Sequence, residues 1–399
     1  MMNFKQVAIL FFLLFSSTFT VLAHDHNSAK WQWHGFIAQG LVNVNGSNFV
    51  SDNKQLSTAL TELGINASYN VKPNLRLAGQ VVYLDGGNRY HKGTRVDYLL
   101  LDWTFYDQGV WQAHFYLGRF KNVHWLYSST RDIPFARPSI ILPQSVYFDG
   151  FRDIAVGGDG GALKISHSDD KHGDIDFNLS YGTSPVSKEQ GQLILGKLAL
   201  GKVKQNFDLQ ASLYWRPTFS PWRVGASILD SDFSYIQSTD DFYNDGDFSF
   251  KFYTVNALYE GEQWEFSGEI FQEDFIIKGF YYPQFNKRNI GQGYYLQTRY
   301  RLNTDLRFLA RYEYFYADRN DKNGQKLAQA TGGMVPAYFA FQNDFVLGAS
   351  YDINNNFKVR IEHHWVDGTA RISPVVQPNP AINNNRYWQM FALQLMYWF

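Results

Sequence analysis

Read in steps of two, the chain sorts into apolar and polar rows. Leu63, Ile65, Ala67, Tyr69 and Val71 alternate with Glu62, Gly64, Asn66, Ser68 and Asn70. Lys72-Pro73-Asn74 then turns the chain, and Leu75, Leu77, Gly79, Val81 and Tyr83 resume opposite Arg76 and Gln80. The same rhythm returns at 175–181, 207–215, 264–270, 306–314 and 357–361. Successive side chains of an extended strand point to opposite faces, so each stretch predicts a strand with one apolar and one polar side. The final residues complete the set. Gln389, Phe391, Leu393, Leu395, Tyr397 and Phe399 share one face, and Trp388, Met390, Ala392, Gln394, Met396 and Trp398 the other.

The connections alternate in length. Short turns fall at 71–73, 106–109, 169–173, 201–205, 260–263, 303–305 and 354–356. Long excursions fall at 43–56, 85–94, 119–152, 183–190, 216–248, 275–291, 317–341 and 367–386. Short turns on one rim and long loops on the other predict an all-β fold, a transmembrane antiparallel β-barrel with long extracellular loops. Eight long loops and seven short turns join sixteen strands, with both chain ends on the short-turn rim. Alternation is blurred in the expected strands 31–42, 96–106 and 192–200. The stretch 222–236 is assigned to the fifth long loop; as a wall hairpin it would give eighteen strands. Soluble sandwiches and propellers also alternate, but they do not turn Trp and Tyr outward at strand ends, and no propeller-like repeat runs through the chain.

Composition narrows the picture. A length of 399 residues suits one barrel domain, and 18% aromatic content supplies two interfacial girdles. A net charge of -1 lacks the basic excess that nucleic acid requires, and the absence of cysteine excludes disulfides and thiolate metal sites. Residues 1–23 read as a cleaved secretory signal, with Lys5, an apolar run at 7–15 and the small-residue end Val21-Leu22-Ala23. The barrel domain is then 24–399. No later run is long enough for a transmembrane helix. Hydrocarbon tolerates no unpaired backbone groups, so exported alternating strands must close on themselves to sit in a bilayer. Strands of roughly 9–11 residues cross it, and sixteen leave a water-filled bore. The expected location is the cell outer membrane, with outer-membrane lipid and lipopolysaccharide as surroundings.

The third long loop, about 119–152, departs from the others. It carries Gly118-Arg119-Phe120-Lys121-Asn122, Ser129-Thr130-Arg131-Asp132-Ile133-Pro134-Phe135-Ala136-Arg137-Pro138 and Leu142-Pro143-Gln144-Ser145-Val146-Tyr147-Phe148-Asp149. Its prolines fix φ and restrict their predecessors, which stiffens the segment. At this position it resembles the inward-folded constriction loop of trimeric Gram-negative porins, and its wording resembles porin-like outer-membrane proteins of gammaproteobacteria. The likeness is carried by 118–153, with the signal at 1–23 and the ending at 388–399, which resembles the strand read by the barrel-assembly machinery. It implies passive diffusion of small hydrophilic solutes through a channel, and a homotrimer. Arg119, Lys121, Arg131, Asp132, Arg137 and Asp149 would then stand at the eyelet, where rings of charge filter ions by sign. The alternative is that they pin the loop to the wall.

On the wall, Arg76, Arg299, Arg301, Arg307, Arg311, Lys358 and Arg360 lie near short turns, offset in part by Asp174, Asp176, Glu265 and Glu269. A cationic lower vestibule and a mild anion preference follow. Other chemistry is thin. His363 and His364 are strand neighbours on opposite faces, and His34, His114, His167 and His172 show no ligand spacing. His24 and His26 flank Asp25 in the segment after the signal and could catch a divalent ion adventitiously. Asp241, Asp245 and Asp247 around Gly246 resemble a calcium loop, yet Tyr243 and Phe252 occupy ligand positions. No Gly-x-Ser-x-Gly elbow occurs. Strand grammar starts too early for an N-terminal plug. Trp388, Trp398, Tyr214 and Tyr295 could form a lumenal aromatic slide for sugars or serve as packing aromatics. The reading is therefore a diffusion porin without cofactor, metal or catalysis. The runner-up is a substrate-selective sugar or anion channel of the same fold, and the third a barrel-borne hydrolase.

Overall fold

The computed structural model describes residues 30–52, 54–155, 157–374, 376 and 383–399, so the expected signal at 1–23 lies outside the described residues. Sixteen long strands form its wall: β1 (Trp31–Asn45), β2 (Thr61–Lys72), β3 (Leu75–Asp85), β4 (Gly93–Gln108), β5 (Trp111–Lys121), β6 (Gly157–Asp169), β7 (Gly173–Thr183), β8 (Lys202–Arg216), β9 (Trp222–Ile236), β10 (Gly246–Glu260), β11 (Trp264–Lys278), β12 (Asn286–Arg301), β13 (Leu306–Tyr316), β14 (Phe341–Asn354), β15 (Phe357–Gly368) and β16 (Tyr387–Trp398). Each runs antiparallel to the next, and β16 pairs with β1 from Phe36↔Trp398 to Asn45↔Gln389, closing the barrel. The two-residue strand Leu56–Ser57 leans on β1 from within the first loop. No described helix is long and apolar enough to cross a membrane.

The expected total of sixteen is met, with two errors that cancel. The stretch expected as strand eight, 192–200, falls in the loop between β7 and β8, which contains the short helix Lys188–Leu195. The stretch assigned to the fifth loop is wall strand β9, paired with β8 from Val224↔Trp215 and with β10 from Trp222↔Tyr259. The true short turn is 217–221, not 201–205.

The reason lies in how the two faces change with height. In the lower part of β9, Val224, Ala226 and Ile228 face outward; higher up the outward residues are Asp230, Asp232 and Ser234, while Leu229, Phe233 and Tyr235 point in and are buried. β10 does the same, with Tyr253 and Val255 outward below, Ser249 and Lys251 outward above, and Phe248, Phe250 and Phe252 inward. In β11 the outward Phe266 and Ile270 give way to Gln272 and Asp274, while Phe271 and Ile277 point in. The strands are 15 residues long here, more than the roughly 9–11 that cross a bilayer. Their upper thirds stand in water over a dry centre, so the apolar row switches parity.

The other blurred strands have their own causes. In β4, Asp97 and Tyr98 both turn inward between outward Val96 and Leu99, at a register shift opposite Gln80/Val81. Such a bulge re-aims a side chain. In β1 the inward row is apolar because Val42 and Val44 meet a second dry cluster with Ile140, Ile141, Trp388 and Met390, and Phe36 a third with Val82, Leu84 and Tyr90. The membrane-facing row holds elsewhere: Leu296 is 64% and Ile270 69% exposed, and Phe308 and Tyr312 look outward.

Candidate constriction site

The segment between β5 and β6 folds into the bore, and most described residues in it are buried. Pro134 opens a 3-10 turn through Ala136, and Ser128 Oγ accepts from the amides of His124 and Trp125 while donating to the Asn122 and Trp125 carbonyls. These local bonds stiffen the loop before it meets the wall.

Four wall glutamates, from strands spaced around the barrel, then grip it. Glu62 on β2 accepts both Arg137 Nη1 and Nη2, at 3.0 and 2.6 Å. Glu269 on β11 accepts the Leu126 amide at 3.2 Å and the hydroxyls of Tyr147 and Tyr295. Glu313 on β13 accepts the Ser145 amide at 2.7 Å. Glu362 on β15 accepts the Ile140 and Ile141 amides at 2.5 and 3.3 Å. Two arginines grip the opposite polarity. Arg311 donates to the Ile141 carbonyl at 3.0 Å and Ser139 Oγ at 3.1 Å, and Arg360 to the Pro134 carbonyl at 2.9 Å. Between these grips, Trp125, Phe148, Phe151 and Ile154 complete the aromatic cluster of β9–β11.

Toward β3–β5 the loop edge is ionic instead. Lys121 lies 2.7 Å from Asp97 and 2.8 Å from Asp132, which also binds Arg152. Asp149 accepts Arg89 at 2.9 Å and Arg131 at 2.6 Å. A cavity of about 320 Å³, lined by Lys92, Arg95, Asp97, Lys121, Asp132 and Arg152 among others, adjoins this seam on the long-loop side. Burial alone would raise the Asp132 and Asp149 carboxyls. The cations Arg152 and Lys121 at the first, and Arg89 and Arg131 at the second, outweigh it and hold both below the usual carboxylate range. His124, deeply buried and repelled by Arg131, is pushed down to about 3, which keeps it neutral.

Of the six residues expected at an eyelet, Lys121, Arg131, Asp132, Arg137 and Asp149 meet along this seam and its continuation at Glu62. Arg119 makes no ion pair in the seam and bonds Asp159 at 2.7 Å instead, but it lines the same cavity as Lys121 and Asp132. Among the wall residues, Arg311, Arg360 and Glu269 hold the loop. Below it Arg299 pairs with Glu265, Arg76 with Asp102, and Arg307 and Lys358 share Asp352, while Arg301 is exposed. Sequence reasoning missed Glu62, Glu313 and Glu362 as clamps, and Arg89, Asp97 and Arg152 in the seam. The available signal was a lone Glu on the polar row of three strands and the blurred alternation at Asp97.

The solved structures to which the chain is similar share this architecture. OmpT of Vibrio cholerae superposes with TM-score 0.58 at 13% identity, over 93% of this chain and 99% of that one. An anion-selective porin from Comamonas acidovorans gives 0.58 at 9%, over 92% and 99%. Salmonella typhi OmpF, solved in complex with daunomycin, gives 0.56 at 13%, over 92% and 97%. The fold is that of the outer-membrane barrels. No protein-family model and no curated protein matches the chain.

Three smaller expectations resolve here. Asp241, Asp245 and Asp247 each bind their own loop or strand partners (Tyr235, Gln237 and Ser234) instead of converging. Trp388 and Tyr295 are buried in packing. Histidine spacing, which predicts no ligand set at His167 and His172, misses the turn after β6, which folds both rings onto Asp169.

Proposed function

We propose that the protein is an outer-membrane channel through which small hydrophilic solutes and ions diffuse, narrowed by the third loop. The observation that carries this is the fourfold glutamate clamp. It fixes the loop across the bore and leaves an ionic seam facing β3–β5, beside the packing of Ile133 and Phe135 on Val82, Leu84 and Tyr90. Solutes would pass along that seam, between the cavity at the long-loop side and the vestibule below. Arg89, Lys121, Arg131, Arg137 and Arg152 meet Glu62, Asp97, Asp132 and Asp149 there, five cations to four carboxylates. In the vestibule Asp352 serves both Arg307 and Lys358, leaving another positive charge over. The excess is small because pairing cancels most of it, so the anion preference is mild.

The tight packing of those pairs favours the selective form of the channel over a wide general pore. Export through 1–23, assembly by way of 388–399, contact with lipopolysaccharide and a homotrimer belong to the same proposal; a trimer form is described for OmpT of Vibrio cholerae. No catalytic step is assigned. Swelling of liposomes loaded with the refolded protein tests the reading. Small polyols should enter and disaccharides lag well behind, and reversal potentials across a salt gradient should favour the anion weakly. Impermeability to every solute, or cation preference, would overturn it.

A further inference from the structure

We propose that the turn after β6 is a transition-metal site, made by His167, Asp169 and His172 on the short-turn rim. The proposal stands on three observations. First, one carboxylate oxygen serves both imidazoles: Asp169 Oδ2 lies 3.0 Å from His167 Nε2 and 2.8 Å from His172 Nδ1. The three donor atoms all lie within 4.8 Å of one another. Tetrahedral Zn²⁺ with bonds of about 2.0–2.2 Å holds its donors roughly 3.3 Å apart, so the set needs only small side-chain rotations to close on an ion.

Second, the carboxylate is already oriented. Asp169 Oδ1 accepts the backbone amides of Lys171, at 3.0 Å, and His172, at 2.5 Å. Metal-binding carboxylates are commonly fixed this way by groups outside the coordination sphere. The turn itself is held by Trp215, whose indole donates to the His172 carbonyl at 2.8 Å, and by Thr218 Oγ1 on the Asp169 carbonyl.

Third, the set is open on one side and packed on the other. The His172 ring is half-exposed, whereas the His167 ring lies 4.4 Å from that of Trp111 and its Nδ1 is buried with no hydrogen-bond partner. Two imidazoles and one carboxylate select a borderline cation such as Zn²⁺, Ni²⁺ or Cu²⁺ over Ca²⁺ or Mg²⁺. Three protein donors leave a coordination position open to solvent. A bound ion would tie the end of β6 to the start of β7.

The test uses the full folded barrel in detergent, in a H24Q/H26Q background so that the histidines after the signal do not compete. After chelator treatment, calorimetric titration with Zn²⁺ should give one site per chain. H167Q and H172Q should each weaken it by at least about tenfold, since even an outer-sphere partner is worth that much, while H91Q leaves it unchanged. Independently of those variants, Ni²⁺ should quench tryptophan fluorescence with an amplitude that falls in W111F. Absence of stoichiometric Zn²⁺ binding, binding that survives in a folded H167Q/H172Q barrel, or quenching undiminished in W111F would overturn the site.

Discussion

Of the four clamping carboxylates, Glu62 grips the loop through a charge, with both partners buried from water. Glu62 and Arg137 are both buried and bonded through two oxygens and two nitrogens. Removing one member of a buried pair strands the other and costs about 3–5 kcal/mol. Glu62→Leu should therefore lower the urea midpoint of the refolded barrel by that equivalent, with Glu62→Gln milder. His124 makes a different prediction. Its folded-state value near 3 lies below the unfolded one near 6.5, so the unfolded chain binds the extra proton first. Stability should fall as pH drops from about 6.5 toward 3, by up to about 1.4 kcal/mol per unit, and His124→Asn should flatten that slope. Asp132 and Asp149 act lower: their contribution is intact above the unfolded carboxylate value and disappears as pH falls through their depressed folded values. Urea midpoints measured from pH 7 to 3 separate the two.

At the level of the strand, legibility depended on whether one rule held from end to end. β2, β13 and β15 keep apolar residues outward through the span, and two-step alternation reads them directly. β9 was hidden because Ile228-Leu229-Asp230 switches the apolar row from the lipid side to the dry side within three residues. The stretch 192–200 reads as wall because Ile194, Leu195 and Ala199, at the end of helix Lys188–Leu195 and just beyond it, serve the core beneath the loops. No one-parity pattern could have placed either. The boundary between the two regimes makes a prediction. Val255→Arg lies in the lipid band of β10 and should destabilise by about 2–4 kcal/mol, whereas Ser249→Arg, higher on the same outward row, should change stability by no more than about 0.5 kcal/mol. Equal effects in unfolding titrations would remove the proposed boundary.

For the molecule as a whole, the barrel and the inward loop were legible, whereas the way the loop is held was not. Proline spacing and charge mark 119–152 as unlike the other loops, but its partners Glu62, Glu269, Glu313 and Glu362 are scattered over 300 residues of sequence and converge only when the wall closes. In the proposed channel, the clamped loop is the main resistance. The direct measurement is single-channel conductance in planar bilayers for the intact protein and for a variant with 124–154 replaced by a short glycine-serine turn. The intact channel should open in small, steady steps, and the shortened one should conduct several-fold more. Equal conductance in the two would contradict the account.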